Sequence, residues 1–370
     1  MNILFICNNM PPMVDGVGDY TYNIASEFAR HGHEVHVICR KRKEIRTDYD
    51  DLHIVPMVER WDRSTGKRIA QYVKDNHIDV VSLQYVPHGF HPKGLPFGLV
   101  PCMKEVKKTG VKMMVFCHEV CIGMGKWYEI IQNAMAILME SITRGIVRMC
   151  SVVITSISHY KQRLKGLGVE DVAVVPIPSN IPNAVIGEEQ RKALRHMIAN
   201  DDEIVITLFG NRNFTNVLKA IHKLLQSGHK IIVLALGKTN ASIPQGEPYI
   251  YYTGAREIAE LASFIQVSDM LVLPENTHSG CSLKSGSLSA AIQFHVPVIS
   301  NKGFMTEDVL DSVVYYTESD TVDEYERTIK VLMNDIGLRD CMKRSCVALS
   351  KHLNWQSTYE MYIKNIQYEH

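Results

Sequence analysis

A short glycine-containing segment, DGVGDY, holds the first residues whose types and spacing suit binding chemistry. Gly16 and Gly18 follow the apolar stretch 3–7 and precede a helical pattern. A helix N-terminus offers unpaired backbone N–H groups to an anion, and glycine allows a phosphate to approach them closely. The segment matches neither GxGxxG nor the phosphate-binding loop of nucleotide hydrolases, because the third glycine and the Lys-Ser/Thr pair are missing. A phosphate-binding turn and a plain tight turn therefore both remain open.

A second segment, PENTHSGCSLKSGSLS, follows the apolar stretch 270–273 and precedes a helix of small residues. It combines hydroxyl groups, glycines and one cation, namely Gly280, Ser282, Lys284, Gly286 and Ser287. Such residues at the start of a helix are typical of an anion site. An ordinary serine cap with a solvent-facing lysine is the alternative. We favour the anion site because all of these residues coincide at the carboxyl end of one predicted strand.

A third segment, LFGNRNFT, places Gly210, Asn211 and Arg212 directly after the apolar stretch 204–208. A guanidinium group can bind a phosphate through two parallel hydrogen bonds. Arg212 is therefore a candidate phosphate ligand, and a surface arginine in a loop is the alternative.

The elements that must position these segments are short apolar strands that alternate with helical patterns. The predicted strands are 3–7, 34–39, 54–58, 80–83, 112–116, 152–155, 172–176, 204–208, 230–234, 249–252, 270–273 and 297–300. Such near-continuous apolar strands, separated by helices, predict parallel sheets covered on both faces. Pro176, Pro178 and Pro182 interrupt the pattern and predict a linker between two α/β domains.

Composition excludes several classes of protein. The 370 residues include 40 Lys and Arg against 40 Asp and Glu, and this balance argues against a nucleic-acid binder held by phosphate contacts. Nine cysteines without framework spacing suit a reducing compartment. The start MNILFIC is interpreted as a strand, and no stretch reaches the roughly 18 apolar residues of a membrane span. We therefore predict a cytoplasmic protein.

Metal sites find little support in the sequence. Cys117 and Cys121 flank His118, but no second Cys/His pair at zinc spacing accompanies them. The acidic run 48–51 offers an Asp-x-Asp pattern, but it stands in a polar connection that is typical of a solvated loop. We therefore predict no metal site and no other cofactor.

The order of these features resembles the family-4 retaining glycosyltransferases of GT-B fold. The resemblance is carried by the Gly-Val-Gly turn, the histidine in VFCHEV, the proline-rich crossover, G-x-R after strand 204–208 and the segment before PVIS. It covers nearly the whole chain and implies two Rossmann-like parallel-sheet domains that face a central cleft. Residues 1–182 would form the acceptor-side domain, 183–352 the nucleotide-sugar-binding domain, and 353–370 a helix that crosses back to the first domain.

The resemblance also implies roles for individual residues. His118, Arg212 and Lys284 would be catalytic, with His118 beside the transferred sugar and Arg212 on the departing phosphate. Donor-binding residues would be Gly16, Val17, Gly18, Gly210, Asn211, Ser282, Gly286, Ser287 and Leu288. The donor would be a sugar linked to UDP or GDP. Cleavage of a glycosyl-phosphate bond builds negative charge on the leaving diphosphate, and Arg212, Lys284 and two helix N-termini would stabilise that charge without a metal.

Two departures from the family pattern leave alternatives open. Members of the family usually have two glutamates eight positions apart before PVI, where this chain has Ser282 and Ala290. The familiar lysine after G-R is also missing, with Asn216 near that place, and we infer that Lys284 supplies the charge. A catalytically decayed nucleotide-sugar-binding protein and a GT-B nucleotide-sugar epimerase are the alternatives.

The acceptor would be a saccharide or a lipid-linked molecule. Tyr85 and His88 stand in a glycine-rich loop after strand 80–83, which suits sugar stacking but equally suits packing. A predicted helix over 126–150 combines Trp127, Tyr128 and many apolar residues with Arg144 and Arg148. An exposed apolar face on this helix would give a peripheral contact with the inner face of a membrane, and a buried core helix is the alternative.

Overall fold

The computed structural model describes residues 1–49, 51–120, 129–238 and 240–367. The chain forms two compact units, one containing Met1–Pro176 with the C-terminal residues from Trp355, and the other containing Ile177–Asn354. The second unit thus begins inside the proline-containing linker.

The first unit is a parallel sheet with helices between its strands. Its strands are β1 (Asn2–Ile6), β2 (Glu34–Arg40), β3 (His53–Val58), β4 (Val80–Tyr85), β5 (Lys112–Cys117), β6 (Val152–Thr155) and β7 (Ala173–Val174). Its helices are α1 (Gly16–Arg30), α2 (Arg63–Asp75), α3 (Pro87–Phe90), α4 (Leu99–Lys107), α5 (Ile130–Val147) and α6 (Ser158–Gly166). The strand order is β3-β2-β1-β4-β5-β6-β7, and every pair is parallel. Ile3 at the centre of the sheet lies opposite Val35 and Val80, and its side chain is fully buried.

The second unit repeats this architecture. Its strands are β8 (Ile204–Phe209), β9 (Ile231–Leu236), β10 (Ile250–Tyr252), β11 (Met270–Leu273), β12 (Val298–Asn301) and β13 (Val314–Thr317). Its helices are α7 (Glu188–Ile198), α8 (Thr215–Gln226), α9 (Ile258–Gln266), α10 (Gly286–Gln293), α11 (Val322–Asn334) and α12 (Ile336–Ser350), with a short 3-10 helix at Asp308–Ser312. The strand order β10-β9-β8-β11-β12-β13 is again parallel throughout. The predicted fold class, two Rossmann-like parallel-sheet domains, is confirmed.

The last helix, α13 (Trp355–Gln367), packs on α1 in the first unit. The Tyr20 hydroxyl donates a hydrogen bond of 3.3 Å to the Tyr362 hydroxyl, and the Trp355 ring lies 5.2 Å from the Tyr20 ring. The end of the chain therefore completes the aromatic core of the first unit. Among the helices of the described residues, none combines the length and the apolar character that a membrane span requires.

Candidate functional site

Arg212 lies in the loop that follows β8, and this loop folds tightly because it contains a glycine. Gly210 has φ +92°, a conformation that favours glycine, and a Cβ atom there would lie 2.4 Å from Nη1 of Arg212. The guanidinium group therefore folds back over Gly210. Asn211 lies in the same turn and is exposed.

The guanidinium group of Arg212 joins three elements of the second unit. Its Nε and Nη2 donate to Oε1 of Glu275 at 3.1 and 2.6 Å, just after β11. Nη1 donates to the Phe209 carbonyl oxygen and to Ser287 Oγ at 2.9 and 3.2 Å, and Nη2 donates to Ser285 Oγ at 3.1 Å. The side chain is only 12% exposed. Arg212 is therefore held against the first turn of α10.

The N-terminus of α10 is open beside this arginine. Ser285 caps the helix, because its hydroxyl accepts a hydrogen bond of 3.4 Å from the Leu288 N–H group. Gly286 is exposed, and no atom lies within 4 Å of the position that a Cβ atom would take. Backbone N–H groups in the first turn of a helix have no partner within the helix. Cation, hydroxyl groups and helix N-terminus therefore meet at the carboxyl edge of the second sheet.

The other predicted residues of this segment have different surroundings. Ser282 and Leu288 are buried, and the Ser282 carbonyl oxygen accepts a hydrogen bond from the Ser285 N–H group at 3.0 Å. Lys284 is partly exposed and precedes Gly286 by two positions. Ser282 and Leu288 thus shape the turn from within.

In the first unit, the N-terminus of α1 is already occupied by a carboxylate. The helix begins at Gly16, so Gly16 and Gly18 lie within its first turn. The sequence pattern had predicted them immediately before the helix. Oδ1 of Asp15 accepts hydrogen bonds from the N–H groups of Val17 and Gly18 at 2.9 and 3.3 Å. A diphosphate would have to displace Asp15 to use these two donors.

The two glycines of this turn have different explanations. A Cβ atom on Gly18 would lie 2.8 Å from the Asn9 carbonyl oxygen, whereas one on Gly16 would meet nothing within 4 Å. Gly18 is therefore required by close packing of α1 on the loop after β1. Gly16 is exposed and leaves an open surface.

His118 follows β5 and is buried in a polar and aromatic environment. Its side chain is 6% exposed, Nε2 lies 3.0 Å from Oε1 of Gln84, and the Phe116 and Tyr20 rings lie 4.3 and 4.8 Å away. Burial lowers the pKa of His118 to about 3, because the low-dielectric surroundings penalise the charged imidazolium. The residue is therefore neutral at physiological pH.

The predicted acceptor residues differ in exposure. Tyr85 is fully buried, its hydroxyl lies 3.2 Å from Thr143 Oγ1, and its ring stacks 6.2 Å from the Phe90 ring. It has no exposed ring face for a sugar, and this part of the acceptor prediction is corrected: Tyr85 belongs to the core. His88, on α3, is exposed, and Gly94 lies between it and Met139 of α5.

Helix α5 carries an exposed apolar face. Ile130, Ile131, Ile137 and Leu138 are 73%, 79%, 56% and 42% exposed, while the opposite side of the helix is buried. Arg144 and Arg148 are also exposed at its C-terminal end. The predicted start of the helix, with Trp127 and Tyr128, lies outside the described residues.

In the acidic run 48–51, Asp48 pairs with Arg46 at 3.2 Å, and residue 50 lies outside the described residues.

Comparison with known proteins decides the family of the first unit. Residues 14–180 match the model of Glycosyltransferase Family 4. The first unit is a family-4 glycosyltransferase domain. The predicted resemblance to family-4 glycosyltransferases is thereby confirmed, and so is the enzyme class, a glycosyltransferase. Among curated proteins, none matches the chain.

Solved structures extend the fold of this glycosyltransferase to the whole chain. A glycosyltransferase from Rickettsia africae ESF-5 superposes with a TM-score of 0.71 at 13% identity, over 100% of this chain and 99% of that one. Sucrose-phosphate synthase from Thermosynechococcus elongatus gives 0.73 at 10% identity, over 99% and 98%. Anabaena HepE in complex with UDP and glucose gives 0.68 at 13% identity, over 100% of both chains. The GT-B fold is thus confirmed for both units.

Two further residues of the glycosyltransferase support the site and were missed by sequence reasoning. One oxygen of Glu307 accepts the Leu283 N–H group at 3.2 Å, and the other is buried without a hydrogen-bond partner among the described residues. Burial raises the pKa of Glu307 to about 7. Asn240 donates to the Arg212 carbonyl oxygen at 2.8 Å. The sequence offered one signal for both residues, a carboxyl or amide side chain in the chain that follows a predicted strand. That signal did not identify the residue that each side chain contacts.

Proposed function

We propose that the glycosyltransferase moves a sugar from a nucleoside-diphosphate sugar to a saccharide or lipid-linked acceptor. The observation that carries this proposal is the convergence of Arg212, Ser285 and Ser287 at the N-terminus of α10. In open parallel sheets, ligands bind at the carboxyl ends of the strands, and a helix N-terminus favours anions. A diphosphate has the negative charge and the acceptor oxygens that a guanidinium group, hydroxyl groups and a helix N-terminus bind.

Stabilisation of the leaving diphosphate is the main catalytic contribution in this proposal. Negative charge grows on the leaving group, and preorganised donors at that position are usually the largest single catalytic term. Arg212 provides a guanidinium that Glu275 and two serine hydroxyls hold in place. Lys284 and the first turn of α10 add positive potential, so the transfer needs no metal ion. Retention of configuration is proposed from the family resemblance.

His118 and the N-terminus of α1 would supply the first unit's contribution. A neutral His118 can position a sugar hydroxyl through a hydrogen bond but does not act as a cationic acid at physiological pH. Gly16 leaves an exposed turn, and the Val17 and Gly18 N–H groups become available to a phosphate only when Asp15 moves away.

The nucleotide of the donor is proposed to be UDP or GDP. HepE, a structure of the same fold, was solved with UDP-glucose. Calorimetry with UDP-, GDP- and ADP-sugars, followed by mass spectrometry of reactions with saccharide acceptors, tests the proposal. The expected result is tight binding of one donor class and a mass gain of one sugar on an acceptor. Binding without transfer would favour a decayed binding protein, and conversion of the donor sugar without an acceptor would favour an epimerase.

A lipid-linked acceptor fits the exposed face of α5. The apolar side chains Ile130, Ile131, Ile137 and Leu138 lie at helical spacing on one face, with Arg144 and Arg148 at its end. An amphipathic helix of this kind lies in the interface of a bilayer, with cations beside anionic lipid headgroups. The exposed His88 lies near the same helix, because Gly94 lies between His88 and Met139 of α5. The proposed location is therefore the inner face of a membrane, with peripheral attachment.

A further inference from the structure

A cavity with a basic lining lies at the amino edge of the second sheet. It has a volume of about 300 Å³ and is lined by residues of α7, α9 and α12, by Asp201 and by the segment before β11. Asp269, in its wall, immediately precedes β11, whereas Glu275 of the candidate donor site follows the same strand. The cavity and the Arg212 cluster therefore lie at opposite ends of the strands, and the cavity is a separate site.

The charge of this lining is positive. Arg191, Lys192, Arg195 and Lys343 line the cavity together with only two carboxylates, Asp201 and Asp269. On α7, Arg195 lies four positions after Arg191 and three positions after Lys192. This spacing places the three residues on one face of the helix. The lining therefore carries an excess of cationic groups before any contribution from a histidine.

One arginine forms the rigid floor of the cavity. Arg195 donates to the Val267 and Glu203 carbonyl oxygens, both at 2.6 Å, and to Oδ2 of Asp269 at 2.7 Å. The same Asp269 oxygen accepts the Val205 N–H group at 2.8 Å. Asp269 is therefore neutralised by Arg195 and does not repel an anion at the mouth of the cavity.

The remaining cations can turn towards a ligand at small cost. Lys192 pairs with Glu188 at 3.0 Å and Lys343 pairs with Asp340 at 3.6 Å, and all four side chains are well exposed. Exposed ion pairs of this kind contribute little to stability, so an exchange of partner is inexpensive. The backbone N–H group of Arg191 donates to the Gly187 carbonyl oxygen at 2.9 Å, but its side chain forms no hydrogen bond or ion pair with any of the described residues. Its guanidinium is thus free to bind a phosphate with two parallel hydrogen bonds.

We propose that this cavity binds a small phosphate-bearing anion, either inorganic phosphate or the phosphate monoester of a small polyol. Its volume is at the lower end of the range for ligand pockets, roughly 300 to 1,000 Å³, which favours a small ligand over a nucleotide. Gln266, in the wall, also holds the linker. Its amide donates to the Ala184 carbonyl oxygen at 2.8 Å and accepts the Ile186 N–H group at 3.1 Å. A bound anion therefore contacts the residue that fastens the segment following the unit boundary.

Calorimetry of the full chain at constant ionic strength tests this site, with inorganic phosphate and sn-glycerol 3-phosphate as probes. Saturable binding of either probe is expected, and tighter binding of glycerol 3-phosphate would identify an organic phosphate as the ligand. Arg191→Glu and Lys343→Glu are each expected to weaken binding at least about tenfold. Arg344→Glu is the matched control, because Arg344 is an exposed neighbour on α12 outside the cavity lining.

Three outcomes would overturn the proposal. They are the absence of saturable binding by both probes, equal weakening by Arg344→Glu, and loss of phosphate binding in Arg212→Ala. The last result would move the anion to the loop after β8. UDP affinity provides the second readout, and it should be unchanged in Arg191→Glu and Lys343→Glu, so that a failure of the donor-site proposal remains distinguishable.

Discussion

Arg212 donates two hydrogen bonds to a single oxygen of Glu275, which lies 63 positions later in the chain. The carboxylate aims the guanidinium at the first turn of α10 and compensates its charge at the same time. A bound diphosphate would thus compete with Glu275 for the same N–H groups. The pair therefore sets both the geometry and the strength of the proposed phosphate site.

Substitution of each partner should change nucleotide affinity in opposite directions. Arg212→Ala removes charged hydrogen bonds and is expected to weaken UDP or GDP binding at least about tenfold. Glu275→Gln keeps an acceptor oxygen but removes the compensating charge, so binding should strengthen about threefold to fivefold. Calorimetry measures both effects, and Arg212→Lys, which keeps the charge without the planar fork, serves as the control. Unchanged affinity in Arg212→Ala would remove the phosphate assignment.

The two glycines at the start of α1 should respond differently to the same substitution. Gly18→Ala places a Cβ atom against the Asn9 carbonyl oxygen and is expected to destabilise the first unit by about 1–3 kcal/mol. Gly16→Ala, the matched control, meets open space and should change stability by less than about 0.5 kcal/mol. Urea unfolding followed by tryptophan fluorescence measures this unit selectively, because Trp61 and Trp355 belong to it and the second unit, residues 177–354, contains no tryptophan. Equal effects of the two substitutions would contradict the packing explanation.

The sheets were predictable from sequence because their strands are buried on both faces. β6 and β11 have the predicted bounds, and the other predicted strands differ only at their ends. β13 was missed because it is short and two of its four residues, Tyr315 and Tyr316, are tyrosines that weaken its apolar pattern in the sequence. In the structure both tyrosines are partly exposed. Near-continuous apolar runs were thus informative, whereas a mixed edge strand was not.

The candidate site was predictable only as a set of segments. Glycines, serines and an arginine after strand ends are visible in one sequence, but the partner of Arg212 depends on which strands become neighbours. Tyr85 illustrates the opposite failure, because an aromatic residue after a strand has the same sequence signal whether it faces a ligand or the core. The contact between Glu307 and Leu283 likewise exists only in the folded unit.

The buried His118 should make the first unit less stable in mild acid. Its pKa is about 3 in the folded state and about 6.5 in the unfolded chain, so below pH 6.5 only the unfolded state gains the proton. The free energy of unfolding should therefore fall by about 2 kcal/mol more between pH 7 and pH 5 than in His118→Gln. Tryptophan-monitored urea unfolding at both pH values measures the difference. Identical pH dependence of the two proteins would show that His118 titrates normally.

Glu307 should give the second unit the opposite pH dependence. Its pKa rises from 4.5 to about 7 on folding, so between these values the folded state keeps a proton that the unfolded state has lost. Stability should therefore fall as pH rises from 5 to 7, by at most about 2 kcal/mol relative to Glu307→Gln. That variant keeps an acceptor for the Leu283 N–H group without a titrating carboxyl. Circular dichroism follows the unfolding of the second unit, which tryptophan fluorescence does not report. If the stability of Glu307→Gln had the same pH dependence as that of the unaltered protein, Glu307 would be excluded as the source of that dependence.

The apolar face of α5 should bind anionic vesicles. Replacement of Ile131 and Ile137 by serine removes two largely exposed side chains from this face, each worth about 1.5–3 kcal/mol when fully buried in an apolar medium. Partitioning onto phosphatidylglycerol-containing vesicles, measured by sedimentation, is expected to fall at least about tenfold. Val185→Ser removes a 79% exposed side chain from the second unit and should leave partitioning unchanged. Because Arg144 and Arg148 lie at the end of the same face, added salt should also weaken binding of the unaltered protein. If the serine variant partitions like the unaltered protein, the face has another role and the acceptor need not be presented by a membrane.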